Sequence, residues 1–356
     1  MAKATPSILY LYPTPSSFVK KDIRFLSKGY SVKSPTHTWN NKWLVPLRFL
    51  QQFIFLSRHI FSCQAVFVMF GGYWSFLPAL FGKIANKPVY IILGGMDCVS
   101  FPTLHYGNLR KPVLAMFIKW SYQLSTTLIP VDESLVYCEY KYYDASRYKY
   151  QGYKYHFPRI TTPYKVIHNG FDSSAFKPSG TKKIGNSFIA VALIPNMMRF
   201  KLKGADIVVM LAQHFRHCTF TIVGISKSVI DQAGAIPENL QFLPPLPQDQ
   251  LSATLSQNEF VLQLSISEGF PNSLCEAMLC GCIPIGSSAG AIPHIISDTG
   301  YVMESADEES IKRKFQDIVE LSGEKKMDLA ARARNRVIDN FDISRREKSF
   351  GELLMR

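Results

Sequence analysis

The sequence predicts an α/β protein of two doubly wound domains, each a parallel sheet covered by helices. Three observations support this fold class. The chain has 356 residues, of which 47% are hydrophobic, so it can bury more than one core. Short apolar strand candidates alternate with longer helical segments along the chain. A run rich in Pro, Ser and Gly near residues 172–182 interrupts the alternation, which then restarts.

The first half contains four clear strand candidates, each an apolar run bounded by turn-forming residues. They are SILYLY from Ser7, AVFVMF from Ala65, PVYIIL from Pro88 and TTLIPV from Thr126. Helices are predicted for SSFVKKDIRFLSKGY, opened by a Ser cap and closed by Gly29, and for KPVLAMFIKWSYQLS from Lys111. A fifth short strand is predicted within YKVIHNG, before the boundary.

The second half repeats the pattern. Its strand candidates are SFIAVALI from Ser187, TFTIVG from Thr219, LQFLPP from Leu240, FVLQLS from Phe260 and CIPIGSS from Cys282. Helices are predicted for GADIVVMLAQHF from Gly204 and SLCEAMLCG from Ser273. We therefore predict domains at residues 1–175 and 176–339 with a cleft between them, and expect ligands at the carboxyl ends of the strands.

The basic charge is confined to the first half of the chain. Residues 1–180 hold 21 Lys and Arg against 7 Asp and Glu, a balance of +14, whereas residues 181–356 hold 19 against 20, a balance of −1. Such asymmetry indicates an anionic partner, which could be nucleic acid, an acidic membrane surface or a phosphorylated lipid; a merely soluble basic domain is the alternative. Aromatic residues are interleaved with charges over Tyr137–Arg159, which suits base stacking or anchoring at a membrane interface.

One segment has the pattern of a basic amphipathic helix. Within Trp43–Ile60, a helical stripe carries Leu47, Leu50, Phe53 and Ile54 and continues to Ser57. Such a helix could lie in a membrane interface or pack on the sheet of its own domain. The segment Gly71–Lys87 is a second candidate of this kind.

Several classes of protein are not expected. No apolar run approaches the roughly twenty residues that span a bilayer, and the apolar stretch at the N-terminus is too short for a signal peptide. The seven cysteines fit neither a disulfide framework nor zinc spacing, so we expect reduced thiols in a cytosolic protein. The absence of G-x-G-x-x-G after a strand and of a P-loop removes the strongest signals for a dinucleotide enzyme or an ATPase.

The stretch SISEGFPNSLCEAM carries two acids at the predicted edge of the second sheet. Glu268 follows a buried strand, residues 269–273 form a turn, and Asn272 or Ser273 caps a helix with Glu276 in its first turn. The backbone N–H groups and the dipole at this helix start suit a diphosphate, and Glu276 could accept hydrogen bonds from ribose hydroxyls. A capping box from Ser273 to Glu276 is the alternative, but it does not explain the charge of Glu268.

Two further groups of residues follow strands. Arg199, Lys201 and Lys203 precede a helix opened by Gly204 and could neutralise a diphosphate leaving group; a solvated basic turn is the alternative. Asp97 follows two glycines at a strand end and could hold a sugar hydroxyl or serve only the turn. No pair of histidines has ligand spacing, so no metal site is predicted.

These residues also carry a resemblance. SEGFPNSLCEAMLCGCIPIGSSAGAIPHII resembles the E-x7-E segment of the retaining family-4 glycosyltransferases, which have the GT-B fold. VIHNGFDSSAFKP is similar to the inter-domain signature of that family, LKGADIVVMLA to its K-G-x-D helix, and FVKKDIRFLSKGYSV to an element near the start of many members. The tail resembles the closing helices, the last of which, at about residues 340–356, returns to the first domain.

The resemblance implies transfer of a sugar from a nucleotide-sugar with retained anomeric configuration and no obligatory metal or other cofactor. By position, Glu268 would hold the transferred sugar, Glu276 the ribose, and Arg199 and Lys203 the departing diphosphate, with Asp97 at the far side of the sugar. The diphosphate and sugar would lie against Gly269, Phe270, Pro271, Asn272, Ser273 and Leu274. The spacing of Arg199 and Lys203 is one residue shorter than usual, so the choice between Arg199 and Lys201 stays open.

The expected protein is an enzyme of bacterial cell-surface polysaccharide assembly. It would act on a lipid-linked glycan acceptor and be peripheral on the inner face of an anionic membrane; a soluble acceptor is the alternative. Outside catalysis, the alternative is a basic nucleic-acid-binding protein. The absence of a recognition motif opposes that alternative, so no nucleic-acid partner is expected.

Overall fold

The computed structural model describes residues 5–36 and 38–355, which form two units. Unit 1 contains the residues through Cys138, Tyr150–Asn169 and the residues from Ser344 onwards. Unit 2 contains Glu139–Lys149 and Gly170–Ile343. The chain thus enters unit 2 at Gly170, before the predicted boundary at residue 176. The aromatic segment Glu139–Lys149 of the first half also belongs to unit 2.

Unit 1 alternates strands and helices. Its elements in chain order are β1 Ser7–Leu11, α1 Ser17–Leu26, β2 Ser31–Lys33, α2 Val45–His59, β3 Cys63–Met69, α3 Tyr73–Ile84, β4 Val89–Leu93, α4 Pro112–Leu124, β5 Thr127–Pro130, β6 Cys138–Glu139, whose second residue already belongs to unit 2, β7 Tyr150–Gln151 and α5 Tyr153–His156. Strands β1, β3, β4 and β5 match the four predicted runs. The predicted strand in YKVIHNG is wrong, because only an isolated bridge from Tyr164 to Leu128 forms there, and β2 was not predicted.

The main sheet of unit 1 is parallel, with strand order β2-β1-β3-β4-β5. This is a doubly wound order, with the reversal between β1 and β3. Every residue of β4 is buried, which explains why its sequence is continuously apolar rather than alternating. The helices cover both faces. Helix α1 begins at Ser17 and is capped by Ser16, whose side chain accepts a hydrogen bond from the backbone N–H of Val19.

The last helix, α14 at Ile343–Leu354, packs on unit 1 through a buried ion pair. The guanidinium of Arg346 donates two hydrogen bonds of 2.8 Å to the carboxylate of Asp22, and Tyr10 donates to the same carboxylate at 2.7 Å. The ring of Phe350, on the same helix, stacks on Phe67 at 5.1 Å between centroids. A buried bidentate pair of this kind fixes the orientation of the helix, since removal of either partner would leave a buried charge.

Unit 2 contains the remaining elements. They are β8 Ile184–Ile194, α6 Met197–Leu202, α7 Ala205–His214, β9 Thr219–Ile225, α8 Lys227–Ile230, β10 Leu240–Leu243, α9 Gln248–Gln257, β11 Asn258–Gln263, α10 Asn272–Leu279, β12 Ile283–Ser287, α11 Ile292–Ile296, β13 Tyr301–Met303, α12 Glu308–Val319 and α13 Gly323–Phe341. All five predicted strands are present, whereas α6 and β13 were not predicted.

The sheet of unit 2 is parallel, with strand order β10-β9-β8-β11-β12-β13. This is the order of a dinucleotide-binding fold, and its reversal lies between β8 and β11. Phe188 on β8 stacks on Phe260 of β11 at 4.7 Å and contacts Phe315 of α12 at 4.6 Å, so the two strands at the reversal share one aromatic core. Ligands of open α/β sheets bind outside the carboxyl ends of the strands at such a reversal.

The state of the cysteines and the length of the apolar helices were both predicted from the sequence. All seven cysteines are free, and all but Cys138 are buried. Within residues 5–36 and 38–355, no helix is long and apolar enough to cross a membrane.

Candidate functional site

The loops that follow β8 and β11 carry the cations and the first glutamate predicted for the site. Asn196, just after β8, caps α6 by accepting a hydrogen bond of 2.9 Å from the backbone N–H of Arg199. Helix α6 presents Arg199 and Lys201 and ends at Leu202, and Lys203 follows as its cap. The predicted cations therefore lie on and directly after a short helix, which differs from the solvated basic turn of the alternative interpretation.

The two loops are joined by their backbones. The carbonyl of Leu202 accepts a hydrogen bond of 2.8 Å from the N–H of Ile266, in the loop after β11. Gly204, with φ +70°, then lets the chain enter α7 close to that loop, since a Cβ there would lie 2.2 Å from the carbonyl oxygen of Leu264. Any other residue at this glycine would push the two loops apart.

Lys203 and Glu268 form an ion pair at this position. The Lys203 Nζ lies 2.5 Å from Glu268 Oε1, and their side chains are only 18% and 12% exposed. Gln263, the last residue of β11, donates from Nε2 to the same carboxylate oxygen at 3.1 Å and to Ser265 Oγ at 2.8 Å. The structure therefore brings the predicted acid and one predicted cation together at the carboxyl end of β11.

The start of α10 differs from the predicted cap. The helix begins at Asn272, one residue early, with Pro271 at the cap position and no side-chain cap. Ser273 is therefore already helical, and its hydroxyl donates to Gln263 Oε1 at 3.1 Å. Glu276 lies at the fifth helical position, so its predicted place in the first turn is wrong, and the alternative of a capping box from Ser273 to Glu276 does not form either. The start of α10 lies beside the end of β11, because Ser273 bonds to Gln263, and it has no side-chain cap. A helix start of this kind can bind a diphosphate.

The turn between the two acids uses its side chains for packing. Phe270 is 5% exposed and contacts the rings of Phe171 at 6.2 Å and Phe341 at 5.2 Å, while Leu274 is fully buried. Phe270 and Leu274 were both predicted to bind the donor. Because their side chains are buried, only their backbone atoms are suited to contact a ligand. Gly269 and Pro271 are buried as well, and Asn272 and Ser273 are partly exposed.

A glycine after β12 supports Glu268 from the other side. Gly290 has φ +57°, and a Cβ there would lie 1.9 Å from the carbonyl oxygen of Glu268. The backbone of Glu268 is thus fixed by close contact, and its side chain by Lys203 and Gln263. Sequence reasoning missed both Gly290 and Gln263; the polar Gln at the end of an otherwise apolar strand was the signal that could have found the second.

The aromatic segment of the first half also reaches this site. In unit 2, Tyr140 donates from its hydroxyl to the carbonyl of Ile266 at 2.7 Å, and Tyr142 donates to the carbonyl of Leu264 at 3.4 Å. Both tyrosines are buried, at 4% and 2% exposure, and the Lys201 Nζ lies 5.5 Å from the ring centroid of Tyr143. These tyrosines therefore support the loop before Glu268. The interpretation of Tyr137–Arg159 as an exposed stacking or anchoring surface is wrong for them.

Asp97 lies in unit 1 and is engaged by the protein itself. Its carboxylate accepts hydrogen bonds from the N–H groups of Gly71 at 2.8 Å, Gly94 at 3.1 Å and Gly95 at 3.0 Å, and from the hydroxyl of Tyr122 at 3.0 Å. The side chain is 1% exposed, and burial raises its pKa although these hydrogen bonds lower it. This geometry fits the turn-forming alternative, in which Asp97 ties the ends of β3 and β4 together.

Residues 193–336 match the family model described as Glycosyl transferases group 1. The match begins at the end of β8 and includes Lys203, Glu268 and Glu276. It supports the predicted resemblance of the second half of the chain to glycosyltransferases.

Curated relatives match over shorter stretches. The chain is 20% identical over 171 residues to a phosphatidylinositol N-acetylglucosaminyltransferase subunit of Arabidopsis thaliana, covering 45% of this chain and 38% of that protein. It is 33% identical over 96 residues to N-acetyl-alpha-D-glucosaminyl L-malate synthase of Bacillus anthracis, covering 26% of this chain and 25% of that protein. The chain thus spans less than two-fifths of the length of these relatives.

Solved structures match the chain over nearly its whole length. Sucrose-phosphate synthase of Thermosynechococcus elongatus has a TM-score of 0.73 at 13% identity, with 98% of both chains covered. Anabaena HepE in complex with UDP-glucose has a TM-score of 0.70 at 16% identity, covering 98% of this chain and 99% of that one. These likenesses show the fold and confirm the predicted GT-B class with two Rossmann-like units.

Proposed function

We propose that the protein is a retaining glycosyltransferase that moves a sugar from a nucleotide-sugar to an acceptor at a membrane. One observation carries the proposal. A cation, Lys203, and an acid, Glu268, lie paired beside the uncapped start of α10, at the strand reversal of a glycosyltransferase group 1 domain. This combination suits a substrate with a diphosphate next to a sugar.

Each residue has a role that follows from its chemistry. The N–H groups at the start of α10 bind the diphosphate, and Lys203 with Arg199 neutralises the charge that grows on the diphosphate as the glycosidic bond breaks. Glu268 accepts hydrogen bonds from hydroxyls of the transferred sugar, and Glu276 accepts them from the ribose. Two cations and a helix start supply the charge stabilisation that a metal gives elsewhere, so we propose that no obligatory metal takes part.

The donor and acceptor are proposed by class. Anabaena HepE binds UDP-glucose in its solved structure, which supports a UDP-sugar donor here. The name of the Arabidopsis relative includes a lipid, phosphatidylinositol, and the basic first half of this chain favours a lipid-linked acceptor in cell-surface polysaccharide synthesis. The name of the Bacillus relative includes L-malate, which keeps a soluble acceptor as the second candidate.

A donor screen tests the proposal. Binding and nucleotide release are measured with a panel of UDP-, GDP- and ADP-sugars, including UDP-glucose and UDP-N-acetylglucosamine. We expect one of these donors to bind and to release its nucleotide slowly in water and faster with acceptor. If no donor of the panel binds or is hydrolysed, the transferase proposal fails. Donor affinity that is unchanged in Glu276→Ala would contradict the ribose role of that residue.

A further inference from the structure

Helix α2 of unit 1 buries side chains on its inner face and leaves large apolar side chains about half exposed on its outer face. The inner face buries Leu56 and Ile60 completely, together with Gln52, which donates to the carbonyl of Trp74 at 2.9 Å. The outer face exposes four large apolar side chains: Leu47 (46%), Leu50 (56%), Phe53 (50%) and Ile54 (40%). Trp43 (92%) and Phe61 (71%) extend this outer face at its two ends. The stripe predicted from the sequence is therefore the solvent-facing one, and α2 packs on its own unit through the other face.

Unit 1 has further exposed apolar side chains near the start of α2 and on α4. A cavity of about 590 Å³ opens beside the helix start, lined by Val45, Pro46, Phe49, Tyr73, Lys111, Leu114 and Phe117. The rings of Phe49 on α2 and Phe117 on α4, both in its lining, contact each other at 5.8 Å between centroids. On α4, Val113, Met116 and Trp120 are also exposed, by 57%, 39% and 40%. Large exposed apolar patches on a protein surface mark docking sites.

Cations border the outer face of α2. A pocket of about 270 Å³ beside Ile54 is lined in part by Arg58 and His59, and Lys33 Nζ lies 3.5 Å from His59 Nδ1. In the part of the chain that the structure describes, neither Lys33 nor Arg58 forms an ion pair with an acid. Two cations near the same histidine and without an acid partner favour an anionic partner, and the first half of the chain has only 7 acids against 21 bases.

We propose that the outer face of α2, bordered by Lys33 and Arg58, docks unit 1 on an anionic lipid bilayer. Apolar side chains on one face of a helix with cations beside them are the pattern of a helix lying in the membrane interface, where the cations meet lipid phosphates. The inference rests on the proposed function, since a lipid-linked acceptor is reached at a bilayer surface.

Vesicle flotation tests the surface. The vesicles contain phosphatidylcholine alone or phosphatidylcholine with phosphatidylglycerol. We expect the wild type to bind the anionic vesicles and Leu50→Glu/Ile54→Glu to bind at least about tenfold more weakly, because two apolar contacts are replaced by charges. Arg58→Gln should weaken binding about fivefold on anionic vesicles only, the factor equivalent to about 1 kcal/mol per basic residue.

A matched control is Met327→Glu, which adds a charge at a 70% exposed apolar side chain of unit 2. This variant should bind anionic vesicles as the wild type does, and all variants should keep the wild-type unfolding temperature. The proposal is overturned if the wild type does not bind, if binding is equal on both kinds of vesicle, or if the double variant binds unchanged. It is also overturned if the double variant only abolishes self-association in light scattering, because the face would then be a protein interface.

Donor binding separates this inference from the proposed function. UDP-sugar affinity, measured without vesicles, should be the same in Leu50→Glu/Ile54→Glu and in the wild type. Loss of vesicle binding with intact donor binding supports both proposals. Intact donor binding without any vesicle binding refutes the surface alone, and vesicle binding without any donor binding refutes the transferase.

Discussion

The pair of Lys203 and Glu268 allows the sharpest test of the site. We consider Lys203→Gln, Glu268→Gln and the double variant, which together form a double-mutant cycle. Each substitution removes a charge and keeps a polar side chain of similar length. If Lys203 both holds Glu268 in place and stabilises the leaving diphosphate, the variants must change the free energy of unfolding and the turnover number by different amounts.

The geometry sets the expected magnitudes. For two unit charges 2.5 Å apart, the Coulomb energy is about 1.7 kcal/mol at the dielectric constant of water and about 7 kcal/mol at an effective value of 20. Desolvation offsets most of it, because the side chains are 18% and 12% exposed. We expect a net coupling of about 1–3 kcal/mol in the free energy of unfolding, between the values of surface pairs and buried pairs. Loss of a cation at the leaving group should lower turnover by about 10²–10³.

The assay combines denaturant unfolding with nucleotide release from the donor identified by the screen. The matched control is Lys201→Gln, which removes a cation of the neighbouring helix whose Nζ lies over the Tyr143 ring at 5.5 Å. Lys201→Gln should change kcat by less than about threefold if Lys203 and Arg199 contact the diphosphate. A loss as large as that of Lys203→Gln would instead assign the contact to Lys201.

One result would refute the reasoning. If Lys203→Gln lowers stability but leaves kcat/KM within about twofold of the wild type, the ion pair is structural and the leaving group is stabilised elsewhere. If the cycle gives no coupling in stability, the pair is not maintained in solution.

Three further predictions concern the support of the site and the stability of unit 1. Tyr140→Phe removes the hydroxyl that donates to the carbonyl of Ile266, so the free energy of unfolding should fall by about 1 kcal/mol, and an unchanged value would mean that water replaces the hydroxyl. Gly290→Ala places a Cβ against the carbonyl oxygen of Glu268 at positive φ, so turnover should fall more than donor binding; wild-type kinetics would contradict this close contact. Burial lowers the pKa of His156 below its usual 6.5, so the folded state binds fewer protons, and unfolding temperature should fall as pH drops from 6.5 through that lowered pKa; His156→Gln should flatten this dependence in a thermal scan.

The strands were predictable from sequence because both sheets are covered on two faces. Buried parallel strands are continuously apolar, so runs such as VYIIL and FVLQL are visible without knowledge of their neighbours. The position of Glu268 followed from the same rule, since it comes after such a strand, whereas Lys203 is separated from β8 by the short helix α6. The direct contact of Lys203 with Glu268 could not be predicted, because it depends on β8 and β11 being adjacent in the sheet. The local sequence pattern of a strand does not reveal its neighbours.

The errors have physical causes as well. Helix α6 has six residues, too few for a period of 3.6 to be visible. Ser273 looked like a cap because of the glutamate three residues later, but Pro271 takes the cap position and the hydroxyl bonds to Gln263. Tyr140 and Tyr142 alternate with charged residues and so looked exposed, whereas a tyrosine can be buried once its hydroxyl finds an acceptor.

Gln263 explains why the two ends of the turn between β11 and α10 keep a fixed geometry. Its amide nitrogen donates to Glu268 at the start of the turn, and its amide oxygen accepts from Ser273 at the end. A carboxylate at this position could accept from Ser273 but would repel Glu268, and an apolar side chain could do neither. The buried amide of Gln263 therefore holds both Glu268, which we assign to the sugar, and the start of α10, which we assign to the diphosphate. A fixed distance between them is what a donor with a sugar attached directly to a diphosphate requires.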